Sequence, residues 1–284
     1  MHFEVQNLLH LVLTQPGVWL DSTLNAMTIP KNPWFYAVGL TAIFVMSIGK
    51  GAFGGGLTLL GIPLLSFVMS PMEAAVVMAP MALLMDVFGF SGYRISGISK
   101  PDVGWLMPPI VIGLALGFIF FVWVDPKTVS AVIGILCFVF SADWFVRGRR
   151  KSELTGRSLF SPLAVVTGYA FGFSTFIAHA GGPILSAYLL HRGLSKEKYI
   201  ATIGTIFSVV NLLKLFPYAI IGMGVPNAIV YFIMLAPAVP FGVFLGTYIH
   251  GRLDQQRILF WCYLLMLFAA GKLMYDTLHA WMYI

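Results

Sequence analysis

The chain has 284 residues, of which 59% are hydrophobic and 10% charged, and its mean hydropathy is +0.88. A soluble domain carries about 25% charged residues, so this composition excludes one and sets a polytopic, all-α membrane protein. The formal charge of +6 sits mainly in short loops, where basic residues are topology signals and imply no nucleic-acid binding.

Met1-His2-Phe3-Glu4 lacks the basic region of a cleavable signal peptide. Residues 5–20 are short for a span and contain Gln6, Asn7, His10, Gln15 and Pro16, so they read as an interfacial helix. With the polar linker that follows, they form an N-terminal segment over 1–32. Residues 33–48 are apolar and run into Gly49-Lys50-Gly51-Ala52-Phe53-Gly54-Gly55-Gly56, and residues 57–69 resume the apolar run up to Ser70-Pro71. Each piece is short for a crossing of about 20 residues. Together they predict a broken-helix hairpin inside the bilayer. Residues 72–92, 103–124 and 127–146 can each span.

The order then repeats. After a basic linker at 147–160, residues 161–177 run into Ala178-His179-Ala180-Gly181-Gly182-Pro183, and 183–191 form a short piece. Residues 198–222, 226–249 and 256–275 can each span. The expected organisation is two repeats, 33–146 and 161–284, each a broken hairpin followed by three transmembrane helices. An odd number of full spans per half makes the second repeat inverted. Most of the 17 Lys and Arg fall in loops 93–101, 147–160, 191–198 and 250–257, all on one predicted side. The positive-inside rule makes that side cytoplasmic. Both ends then lie outside, unless 5–20 cross, and the hairpins enter from opposite faces.

Lipid cannot satisfy freed backbone N–H and C=O groups, so a broken helix survives only where protein or a wet cavity covers it. A matched pair of breaks in two halves points to a transporter substrate site. Gly54, Gly55 and Gly56 precede one helix start. Gly181 and Gly182 precede another, with Pro183 expected at its first position. Bare N–H groups and the positive dipole end at such starts attract anions. Close helix packing is the plainer reading of membrane glycines, but three in a row do not share one helix face.

Lys50, Asp86, His179 and Lys214 remain within apolar segments, where an ionised group is costly and functional by default. The structural alternatives are specific. Lys50 complements the negative end of the preceding helix, Asp86 pairs with a Lys or Arg, and His179 is a satisfied core histidine. Lys214 lies too deep to snorkel easily and follows Asn211 by one turn. The candidate anion site is therefore Lys50, Gly54, Gly55, Gly56, His179, Gly181, Gly182, Asn211 and Lys214, with His179 or Asp86 as proton carrier. Asp143 reads as interfacial, and Cys137 and Cys262 as small core residues.

The stretch Gly49 to Leu57 with Pro63-Leu64-Leu65, then Pro71, Ala74-Ala75, Met85-Asp86-Val87-Phe88-Gly89 and Tyr93-Arg94, resembles the first glycine signature of the TauE/SafE sulfite exporter (toluene-sulfonate uptake permease) family. Phe176 to Pro183 with Tyr188-Leu189-Leu190 resembles the second, and Asn211, Lys214 and Pro217-Tyr218 fit the region beyond. The likeness spans about residues 33–275. Ala52 stands where many members carry glycine, and Pro63 lies farther from the glycines than in the commonest version. The resemblance implies a permease for sulfite, sulfonates or related sulfur-containing anions in a bacterial cytoplasmic (inner) membrane; the expected partners are the anion, the bilayer and, as coupling ion, protons.

The sequence contains no GxxxxGK[ST], HExxH or GxSxG motif, and its interior carboxylates are too few for a metal cluster. No catalytic residue, metal or cofactor is therefore expected. The competing readings are a passive anion channel and, further off, an intramembrane enzyme.

Overall fold

The computed structural model of the chain describes residues 14, 21, 23–53, 58–89, 97–147, 162–249 and 255–282. Among them the secondary structure is helical throughout, without strands. The helices are α1 (Pro33–Phe53), α2 (Gly61–Leu65, preceded by a 3₁₀ turn at Thr58–Leu60), α3 (Pro71–Gly89), α4 (Lys100–Trp123), α5 (Pro126–Arg147), α6 (Pro162–Ala178), α7 (Gly182–His191), α8 (Lys196–Gly222), α9 (Asn227–Leu235), α10 (Ala238–Ile249) and α11 (Gln255–Met282). Among the described residues, six segments are long and apolar enough to cross a membrane: Pro33–Ala52, Pro71–Gly89, Lys100–Trp123, Pro126–Val146, Glu197–Gly222 and Asn227–Ile249.

Local chemistry sets where several of these helices begin. Asn32 accepts from the Trp34 N–H at 2.9 Å, ahead of Pro33 in the first helical position. Ser70 and Glu73 form a reciprocal capping box around Pro71, with bonds of 2.8 and 3.2 Å. Asp125 accepts from the N–H groups of Lys127 and Thr128 and from the Thr128 hydroxyl, just before Pro126. Pro237 falls in the turn between α9 and α10, where its missing N–H interrupts an otherwise continuous span.

Four helix pairs form the main interfaces. Helix α1 packs on α10, and α6 packs on α4. Helix α3 meets α8, and α5 meets α11. Glycines allow the first two pairs to approach closely. A methyl group at Gly246 would collide with the Ile48 carbonyl, and one at Gly172 with the Ile110 carbonyl. Gly242 precedes Gly246 by one turn, and Gly168 precedes Gly172 in the same way. This is the small-xxx-small spacing of close membrane crossings.

Large apolar side chains face outward. Phe216 on α8 is 75% exposed, whereas Lys214, two residues earlier, is 1% exposed. An apolar exterior around a polar interior is the arrangement a bilayer demands. Cys137 and Cys262 are free and buried, as expected of core residues, and Asp143 is exposed.

The first hairpin departs from expectation. Helix α1 does not stop at Ile48 but continues through Lys50 to Phe53. Gly51 therefore belongs to a packed helix, where a side chain would strike the Val243 carbonyl of α10. The returning limb is also shorter than 57–69, being one 3₁₀ turn and a five-residue helix. Leu59, Leu60, Ile62 and Leu65 of that limb are buried, so protein covers its irregular backbone. Gly54, Gly55 and Gly56, nearly all of 1–20, residues 93–96 of loop 93–101, and most of loops 147–160 and 250–257 lie outside the described residues.

Candidate functional site

Two polar clusters meet where α3 and α8 cross. In the first, Lys50 in the last turn of α1 forms an ion pair with Asp86 Oδ1 on α3. Asn211 on α8 donates from Nδ2 to Asp86 Oδ2 at 2.6 Å. The Lys50 ammonium also lies 5.6 Å from the centroid of the Phe207 ring, within cation–π reach. Lys50 and Asp86 are 4% and 2% exposed. Lys50 thus sits on a helix and not in the unwound break, and Asp86 takes Lys50, not Lys214, as its contact partner.

The second cluster forms at the break between α6 and α7. His179 takes φ 51°, the only positive value for a non-glycine among the described residues. This left-handed residue stops α6 and turns the chain into α7. The last carbonyls of α6 then need donors. Ala180 N–H donates to the Ser174 carbonyl at 3.4 Å, Lys214 Nζ to the Thr175 carbonyl at 3.1 Å, and the Tyr218 hydroxyl to the Phe176 carbonyl. Tyr218 also stacks on Phe176, with centroids 4.8 Å apart.

Lys214 Nζ lies 3.1 Å from His179 Nδ1. With Lys214 as an ammonium, which only donates, Nδ1 is the acceptor and the neutral imidazole carries its proton on Nε2. That Nε2 is buried without a partner at full hydrogen-bond geometry, and the backbone of Ala75 interacts with the ring. Gly181 and Gly182 follow, both buried, and among the described residues their N–H groups have no acceptor. The break therefore holds an ammonium bound only to neutral acceptors, an imidazole N–H beside the Ala75 backbone and two backbone N–H groups without an acceptor among the described residues. That set matches an oxyanion.

Of the residues expected from sequence, Lys50, Asp86 and Asn211 come together, as do His179 and Lys214, with Gly181 and Gly182 adjoining. Gly54, Gly55 and Gly56 lie outside the described residues. Sequence reasoning missed Phe207, the Thr175 carbonyl and the wall residue Tyr218. Phe207, Asn211, Lys214 and Tyr218 recur at intervals of four, three and four along α8. That helical stripe was the available signal.

A further ion pair, with a buried carboxylate and a half-buried guanidinium, lies apart from both clusters. Arg192 Nε binds Asp102 Oδ1 at 2.7 Å, and Ser99 donates to Asp102 Oδ2 at 2.6 Å. The carboxylate holds the Arg192 guanidinium above its ordinary value.

A helical protein with an apolar exterior, six candidate spans and charged groups in its interior is an integral membrane protein of the transporter class. The sequence profile of the sulfite exporter TauE/SafE family matches residues 39–273, and the chain belongs to that family of membrane transporters, which are not enzymes. No curated protein and no solved structure matches it.

Proposed function

We propose that this protein is a secondary transporter that moves a small sulfur-containing anion, such as sulfite or an organosulfonate, across the bacterial cytoplasmic membrane. The observation that carries the reading is the Lys214 ammonium, 1% exposed and bound to the Thr175 carbonyl and His179 Nδ1. No carboxylate touches it among the described residues. A bare charge at such depth costs several kcal/mol. The carbonyl end of α6 offsets only part of it.

In this reading the anion binds between Lys214, His179 Nε2 and the Gly181 and Gly182 N–H groups, with Gly54, Gly55 and Gly56 completing the site from the first half. Lys50 and Asn211 support the site through Asp86. Asp86 is committed to two partners, Lys50 and Asn211. The reciprocal contacts of α1 with α10 and α6 with α4, together with the loop charges, support two inverted repeats over 33–146 and 161–284 and cytoplasmic basic loops.

The test is anion binding to purified protein and counterflow in vesicles. Lys214→Gln should lose sulfite and methanesulfonate binding by a factor of ten or more, or about 1.4 kcal/mol. Lys214→Arg keeps the charge without the compact geometry and should retain part of it. Undiminished binding in a folded Lys214→Gln variant would reduce this lysine to a cap on α6. Counterflow distinguishes a carrier from a passive channel.

A further inference from the structure

We infer that the buried Lys50–Asp86 pair sets the charge of the accepted anion, and that the native site takes an anion with a single negative charge. This deepens the anion-binding reading above and rests on it. Among the described residues, the ionised groups of the two clusters are Lys50, Asp86 and Lys214; two cations against one carboxylate leave one positive charge. His179 adds none, because its Nδ1 accepts from Lys214.

The distribution of that charge is fixed. Both oxygens of Asp86 are used, one by Lys50 and one by Asn211. Lys50 is held between Asp86 and the Phe207 ring, and its stem lies over Gly89. Lys214 interacts electrostatically with both members of the pair, more strongly with Asp86 than with Lys50. The two helix ends at the break oppose each other, with the carbonyl end of α6 and the N–H end of α7 meeting at His179.

Charge number matters here because solvent is excluded. Lys50, Asp86, His179, Asn211 and Lys214 are all 1–4% exposed. At low local dielectric an unmatched charge is not screened. A monoanion brings the site to neutrality. A dianion leaves one negative charge facing the Asp86 carboxylate. The pair is thus a specificity determinant although both of its charges are already partnered.

Methanesulfonate and sulfate are similar in size, differ by one charge and are both fully ionised at neutral pH. Binding of each to the purified full-length protein is measured by calorimetry, with folding followed by thermal unfolding. Wild type should bind methanesulfonate at least about tenfold more tightly than sulfate. Asp86→Asn raises the site by one positive charge and should move the ratio toward sulfate by about tenfold or more. The double variant Lys50→Met, Asp86→Asn restores one net positive charge and should restore the preference for methanesulfonate. Equal or tighter sulfate binding by wild type overturns the inference, as does an unchanged ratio in Asp86→Asn. If Asp86→Asn does not fold, the double variant decides, and a preference for sulfate there overturns it. Binding of neither anion to wild type instead overturns the anion site itself.

Discussion

Asn211 and Asp86 are 125 positions apart in the chain, yet the Asn211 amide donates to the Asp86 carboxylate at 2.6 Å between α8 and α3. This bond ties the two halves together at the level of the candidate site. Removing it leaves a buried carboxylate oxygen without its donor. Asn211→Leu should destabilise the protein by about 1–3 kcal/mol. Thermal unfolding in detergent measures the loss, and an unchanged transition would mean that another donor reaches Asp86.

Glycine substitutions should separate into two groups. Gly172→Val and Gly246→Val drive side chains into the Ile110 and Ile48 carbonyls and should abolish the folded, monodisperse species seen by size-exclusion chromatography. Gly104 and Gly271 have open space where a Cβ would stand. Alanine there should be tolerated and stabilise by up to about 1 kcal/mol through helix propensity. Equal behaviour of the two groups would contradict the close crossings.

The proposed topology puts the 147–160 linker and the turn after α8 on opposite sides of the membrane. Single cysteines replacing Ser152 and Gly224 should react with impermeant reagent from opposite faces of oriented vesicles. Labelling of both from one face would refute the inverted arrangement.

Asp125 offers a pH-dependent test outside the spans. The Thr128 hydroxyl and N–H hold its carboxyl below the ordinary carboxylate value. A lowered folded-state value stabilises above the unfolded pKa, and that contribution disappears as pH falls through the folded one. Asp125→Ala should cost about 0.5–2 kcal/mol at neutral pH, with the difference from wild type shrinking in acid. A difference independent of pH would assign the effect to packing and not to the cap.

Much of the outline is written locally. Asn32-Pro33, Ser70-Pro71 and Asp125-Pro126 mark helix starts because cap and proline act within a few residues. The second break was legible for the same reason, since Gly181, Gly182 and Pro183 specify a helix start without help from distant chain. The interior positions of Lys50, Asp86, His179 and Lys214 followed from the apolar segments around them, because a charge in such a setting has few places to go.

Tertiary structure decided what those groups do to one another. Whether Gly49 to Phe53 stays helical depends on α10, whose Val243 fits against Gly51; neither helix propensity nor the glycine count contains that contact. Lys214 reaches the end of α6 because His179 turns the chain there and α8 crosses beside it. Asp86 takes Lys50 because α1 ends one more turn along than its sequence suggests. Local sequence sets which groups are buried, since burial follows from the apolar run that carries them. The partner of a buried charge is set by which helix ends and faces meet, and that is a long-range property of packing.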